Sequence, residues 1–279
     1  MRHINSDEIY NAVYNLFLES CVFPDEKLEE FLQNAKKAET TPHAVEIFSQ
    51  LIENISIASE KNIPLCQDTG MAVVFVEIGQ DVHIDGEYIE DSINKAVKDA
   101  YTDGKFRMSV LSAIHRKNTQ NNTPAVIHTS IVKGDRIKIS VAPKGFGSEN
   151  MSKIKMLTPS NGLDGIKEFI IDTVKSAGGN PCPPISLGIG IGGTFELSAL
   201  NAKKALLRPL GKFSDDKEIA ELEKEMLDKI NSLGIGPMGL GGNTTALAVN
   251  IIEHPTHLAG LPVAINIQCH CVRHKEAVI

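Results

Sequence analysis

Tryptophan is absent and aromatic residues make up 5% of the chain, so the core has to be built from aliphatic side chains. Cysteine is scarce and odd in number, five in all, and no CxxC pair occurs; this argues against a disulfide framework and against an ordinary structural zinc site. No apolar run approaches the roughly 20 residues of a membrane span. The first residues, MRHINSDEIYNAVYNLFLESC, carry acidic side chains where the apolar centre of an export signal would stand, so a cytoplasmic protein with reduced thiols is expected. Basic excess is lacking too. With a net charge of −7 and no basic stripe, nucleic acid is a poor partner, and an anionic ligand would need local positive charge, as at Lys203, Lys204 and Arg208 or at Arg273 and Lys275.

What is present is 279 residues, 42% of them hydrophobic, enough to bury a core without staples. Apolar residues recur at helical spacing from Ser6 to Asn62 (Ile9, Val13, Phe17; Val45, Phe48, Leu51, Ile52, Ile55), with Thr41 and Pro42 as a cap and first turn. MAVVFVEIG reads as a buried strand and DGEYIEDSINKAVKDAYTDG as an amphipathic helix. TPAVIHTSIV, KGDR and IKISVAP read as a hairpin. A helix at GLDGIKEFIIDTVKSAGG precedes a strand at PPISLGIGIGG; two helices, TFELSALNAKKALLR and SDDKEIAELEKEMLDKINSLG, and a last strand, LPVAINIQC, complete the pattern. No repeat or linker is evident. The expectation is an α+β fold: one helix-rich domain over residues 1–279 with a mixed β-sheet, the helical segment 1–62 packed on it.

Three segments place a cysteine beside glycine, proline or polar residues without a packing need: IPLCQDTGM with Cys66, GGNPCPPISLGIGIGG with Cys182, and NIQCHCVRH with Cys269 and Cys271. Each thiol alone reads as a buried side chain; together they read as metal ligands with polar neighbours attached. Distant thiolates without close pairs point to iron and sulfide, and a cluster held by three cysteines leaves one iron open as a Lewis acid. That suits addition or removal of water at a hydroxy acid. Gln67, Asp68, Arg107, His128, Lys144 and His257 are available for carboxylate, hydroxyl and proton, and spacing alone does not choose among them. A competing motif is GIGIGG at Gly188 to Gly193, which fits a dinucleotide fingerprint with Asp215 and Asp216 downstream. GLGGNTT is either an anion-binding helix start or a tight turn. His270, Cys269, Cys271 and His274 are a further alternative, a non-catalytic zinc module.

Through PLCQDTGMAVVF, RKNTQNNTPAVIH, APKGFGSENMS, GGNPCPPISLGIGIGGTFE, AKKALLRPL, GPMGLGGNTTALAV and HLAGLPVAINIQCH, the sequence resembles the α subunit of iron–sulfur-dependent class I fumarate hydratases and L-tartrate dehydratases, from about residue 10 onward. The resemblance implies that Cys66, Cys182 and Cys269 hold a [4Fe-4S] cluster. It further implies that Gln67 and Asp68 lie against substrate, that Arg107 pairs with a substrate carboxylate, that His257 reaches substrate, and that Lys144, Gly145 and Gly147 form a substrate-facing loop. Cys271 stands where the family carries a small residue, and reads as a packing thiol. Single-chain members continue into a second domain with further catalytic groups. A separate β subunit in a heterotetramer, with α–α pairing, is therefore expected. The implied activity is reversible hydration of fumarate to L-malate; the alternative is dehydration of L(+)-tartrate to oxaloacetate.

Overall fold

Chain-local signals fix most of the helices. Asn5 closes a capping box with Glu8 and starts α1 (Ser6–Val22), whose buried face includes Ile9, Val13, Leu16 and Phe17. Helix α2 (Leu28–Ala38) has acidic residues in its first turn and lysines in its last. Helix α3 (Pro42–Lys61) starts on proline, with the Ala44 N–H turned to Thr41 Oγ1 at 3.4 Å. The computed structural model covers residues 1–279 and divides into two interleaved units, each α+β with its own aliphatic core.

The first unit comprises residues 1–25, 55–146 and 273–279. Its strands are β1 (Arg2–Asn5), β2 (Met71–Gly79), β3 (Val82–Asp85), β4 (Val126–Val132), β5 (Ile137–Lys144) and β10 (Lys275–Val278), with helix α4 (Ile89–Asp103) between β3 and β4. Strands β1 and β3 form a parallel two-stranded ribbon, and the main sheet has the order β10-β5-β2-β4. The hairpin expected from the TPAVIHTSIV…IKISVAP pattern is not a paired hairpin. Strand β2 lies between β4, its parallel partner, and β5, its antiparallel partner. Burial explains this: β2 is almost wholly buried and takes the middle, while β4 is largely exposed and takes the edge. Helices α1 and α4 pack together on this sheet around Phe17, Ile93, Val97 and Tyr101.

The second unit comprises residues 26–54 and 147–272. It holds β6 (Lys153–Leu157), α6 (Gly162–Ala177), β7 (Ile185–Gly192), α7 (Phe195–Ala205), α8 (Lys217–Asn231), β8 (Ala246–His254) and β9 (Leu261–Gln268); the short α5 (Phe146–Glu149) begins where the chain leaves the first unit. The sheet order is β6-β9-β7-β8. Its wiring matches that of the first unit. In each, a first strand (β2 or β7) is followed through helix by a parallel neighbour (β4 or β8), the chain then returns antiparallel on the other side of the first strand (β5 or β9), and a fourth strand (β10 or β6) pairs antiparallel with that return strand. The helical first third of the sequence is shared out, with α1 in the first unit and α2 in the second.

The glycines of GIGIGG serve packing. A Cβ at Gly188 would lie 2.1 Å from the Ala202 carbonyl oxygen, and one at Gly190 would lie 2.0 Å from that of Ser198, so α7 rests directly on the β7 backbone. Asp216 caps α8, accepting from the Glu218 and Ile219 N–H groups at 2.9 and 3.2 Å. Both halves of the dinucleotide reading are thereby accounted for by structure.

Candidate functional site

In the first unit, the QDTG turn ahead of β2 is anchored on several sides. Tyr101, fully buried on α4, donates its hydroxyl to the carbonyls of Thr69 at 2.9 Å and Gly70 at 3.2 Å. Burial pushes the phenol far above its ordinary range, so it stays a donor. Asn122, also fully buried, accepts from the Ser109 and Val110 N–H groups and donates to the Gly70 carbonyl at 3.1 Å. The Arg107 N–H donates to Thr69 Oγ1 at 2.9 Å, which fixes the Arg107 backbone beside the turn while its side chain is exposed. The RKNTQNNTP motif is thus a brace for the Cys66 segment.

Asp68 is the centre of this assembly. Its Oδ1 accepts from the Gly70 N–H at 3.0 Å and its Oδ2 from the Phe146 N–H at 2.9 Å. A Cβ at Gly145 would come within 3.1 Å of Asp68 Oδ2 and 3.5 Å of Arg273 Nη2, so this glycine keeps open the space between carboxylate and guanidinium. Lys144 is buried at the end of β5, opposite Met71 at the start of β2, and its Nζ donates to the Gly145 carbonyl at 3.3 Å. Cys66 is half-buried and Gln67 exposed. Cys21 lies nearby: burial pushes its thiol up to about 12, with Arg273 acting to lower it and Cys66 to raise it. Arg273 is 3% exposed, and the sequence signal for it was slight, an RH pair in the tail, which had suggested only a local positive charge.

In the second unit, Cys182 and Cys269 are brought together. Cys182 precedes β7 with a left-handed backbone, φ 55°, unusual for a residue with a side chain. Its carbonyl accepts from the His270 N–H at 3.3 Å and from the protonated Nδ1 of the same residue at 3.2 Å, and Cys269 adjoins that histidine at the end of β9. Gln268, buried, donates to Cys269 Sγ at 3.7 Å and to the Cys271 carbonyl at 2.8 Å, which fixes the turn. Cys182 is exposed and Cys269 half-buried, whereas Cys271 is buried; no cysteine of the chain is in a disulfide. The zinc-module alternative is not built here: His270 spends Nδ1 on a carbonyl, and His274 faces Asp25 at 3.6 Å in the first unit. Gly147 lies in this unit, with a Cβ there 3.9 Å from the Asn180 carbonyl oxygen, just ahead of Cys182.

His257 is not with these thiols. It stands in the β8–β9 connection, before β9 begins, whereas Cys269 follows its end. The eight residues of β9 separate the two by about 25 Å at roughly 3.3 Å per residue. His257 Nδ1 accepts from the Ala259 N–H at 3.2 Å, and the ring lines a cleft of about 380 Å³ with Leu163, Ile166 and Leu258. His128, on β4, packs its ring on Phe75 of β2 at 4.9 Å.

The anion-site candidates are filled from within. The Asn243 and Thr244 N–H groups of GLGGNTT both donate to the Glu39 carboxylate at 2.8 Å, and the segment runs into strand β8, not a helix. Lys203 pairs with Glu149, and Arg208 with the fully buried Glu223, so these cations balance internal acids.

The model of the fumarate hydratase (fumerase) family matches residues 10–278. The chain belongs to this family of hydro-lyases. Among its relatives, a Methanocaldococcus jannaschii protein provisionally named L(+)-tartrate dehydratase subunit alpha is 45% identical over 269 residues, 94% of each chain. L(+)-tartrate dehydratase subunit alpha of Escherichia coli O157:H7 is 32% identical over 260 residues, 92% of this chain and 85% of the relative, and that of strain K12 matches to the same extent. No helix is long and apolar enough to cross a membrane.

Proposed function

We propose that the chain is the α subunit of an iron–sulfur hydro-lyase acting on a four-carbon hydroxy-dicarboxylate. The names of the relatives favour dehydration of L(+)-tartrate to oxaloacetate over the reaction first expected, hydration of fumarate to L-malate. The family model's own description keeps fumarate as the second reading. The observation that carries the site assignment is the join between Cys182 and the Cys269–His270 turn, together with an accessible thiol beside the braced Asp68.

The donor set fits a cluster by its chemistry: Cys66, Cys182 and Cys269 are thiols in no disulfide and at least partly accessible, while Cys21 and Cys271 are buried. These three would hold a [4Fe-4S] group, which when bound supplies an iron with a vacant position, a Lewis acid toward a substrate hydroxyl. Asp68, its orientation set by two N–H donors, accepts a hydrogen bond from the substrate hydroxyl, and Gln67 orients the same group. Arg107 and Lys144 neutralise the carboxylates, and Gly145 and Gly147 let backbone approach them. His257, at the opposite end of its sheet from the two thiols, reaches substrate only in a neighbouring subunit's site, which accords with α–α pairing. The remaining acid–base groups come from a β subunit, and the α chain alone is inactive.

The test is anaerobic co-production with the β subunit, iron and sulfide counts, and steady-state rates with both acids. A higher kcat/KM for L(+)-tartrate supports the first reading, and a higher value for fumarate and malate the second. A loaded complex that turns over neither acid refutes both.

A further inference from the structure

The ribbon of β1 and β3 carries a group of side chains that the hydro-lyase reading does not use. Its parallel register sets His3 opposite His83 and Asn5 opposite Asp85. Residues two apart on a strand share a face, so His3, His83 and Asp85 stand together on one side. His3 Nδ1 lies 2.8 Å from one Asp85 oxygen and His83 Nε2 lies 3.3 Å from the other. The imidazole centroids are 5.1 Å apart, edge to face, and one ligand atom from each residue lies within 4.8 Å of the other two. All three side chains are between 45% and 62% exposed, so an ion and its waters have access.

Ligand atoms bonded to zinc at about 2.0–2.2 Å stand roughly 3.3 Å apart in a tetrahedron. The His83–Asp85 separation of 3.3 Å already matches that spacing, while the His3–Asp85 contact of 2.8 Å is a hydrogen bond that an ion would replace, with the exposed rings turning to close the set. Imidazole ligands select zinc, nickel and copper over magnesium or calcium, which take oxygen. Arg2, on the opposite face, donates to the Asp135 carbonyl at 3.3 Å and keeps its charge away from this group.

We propose that His3, His83 and Asp85 form a surface site for a divalent transition-metal ion, outside the thiol segments, which fastens β1 to β3. The remaining coordination position is left to water. Strand β1 leads directly into the capping box of α1, in which Asn5 Oδ1 accepts from the Asp7 N–H at 2.9 Å and the Asn5 N–H donates to Glu8 Oε1 at 3.1 Å. An ion here therefore pins the start of a helix that packs in the core. A plain hydrogen-bonded pair between aspartate and imidazoles is the competing account, and it predicts no response to metal.

The experiment is titration of the full chain with Zn2+, read by imidazole 15N resonances, because the thiols elsewhere also take zinc and only a residue-resolved signal separates the sites. His3 and His83 should shift together and saturate at one ion for the pair, with Mg2+ leaving both unmoved. His83→Gln and, independently, Asp85→Asn should each weaken the His3 response by at least about tenfold, with the fold checked by circular dichroism. Rings that stay unmoved in excess Zn2+, or a His3 response unchanged in either variant, overturn the proposal.

Discussion

Replacing Gly190 by alanine tests whether GIGIGG serves packing or ligand binding. The backbone φ at Gly190 is not in the left-handed region, so alanine there would otherwise stabilise by about 0.4–1 kcal/mol through the unfolded chain. Against this, the new Cβ would sit 2.0 Å from the Ser198 carbonyl oxygen and 2.8 Å from the Ala202 nitrogen, where contacts below 3.0 Å essentially never occur. Both atoms are α7 backbone, so no side chain can swing aside; the helix has to lift by about 1 Å from β7 and β9. Overpacking at this severity belongs at the upper end of the roughly 1–3 kcal/mol range, leaving a net loss of about 2 kcal/mol. At about 2–4 °C per kcal/mol, the transition of the second unit should fall by about 4–8 °C. Urea and thermal unfolding followed by circular dichroism measure this, with Gly260→Ala as control, since a Cβ there meets nothing closer than 4.0 Å. A Gly190→Ala chain within about 0.5 kcal/mol of the parent would refute the reasoning. A dinucleotide role would instead leave stability intact and remove cofactor affinity.

Serine at Cys66, Cys182 or Cys269 should each abolish cluster retention, while Cys271→Ala retains it; iron and sulfide counts after anaerobic reconstitution decide, and a reversed pattern sinks the ligand assignment. Tyr101→Phe removes a donor shared by two carbonyls, so a stability loss of about 1–2 kcal/mol is expected, with a fall in kcat of the αβ complex as the Asp68 turn loosens. Unchanged kcat would show that the brace is not felt at the site. Burial lowers the His274 pKa from 6.5, opposed by Asp25. Below pH 6.5 the unfolded chain therefore binds a proton that the folded site resists, and stability falls on acidification from that pH toward the depressed folded value. His274→Gln should flatten that slope in unfolding measured between about pH 7 and 5; an equally steep slope in the variant would assign it to other groups.

Much of this architecture is legible in the sequence because its signals are local. The 3.6-residue pattern of α4 and α6, the Asp216 cap of α8 and the buried run of β2 all lie within one window of the chain. What escapes is set by distant partners. β4 and β5 are adjacent in sequence with a turn between them, yet β2 enters between them because its aliphatic side chains need cover on both faces. Strand β8 follows a glycine–threonine segment in which the Asn243 N–H donates to Glu39, 204 positions earlier. The three thiol segments stand out in the sequence through their polar and glycine-rich surroundings. Arg273 was not, since nothing nearby in the chain announces that its guanidinium will face Asp68 across Gly145.

The matched wiring of the two sheets bears on where chemistry can be housed. In both, the residues of interest occupy equivalent corners: Cys66 and Cys182 come just before the first strand, and Gly145 and Cys269 directly after the returning one. At these corners a chain has left one ladder and not yet entered another, so turns and side chains take over the backbone, as where the Cys182 N–H donates to the Gly179 carbonyl at 3.1 Å and the Phe146 N–H to Asp68 at 2.9 Å. One blueprint is thus executed twice in a single polypeptide, each time with a cysteine a few residues ahead of its first strand.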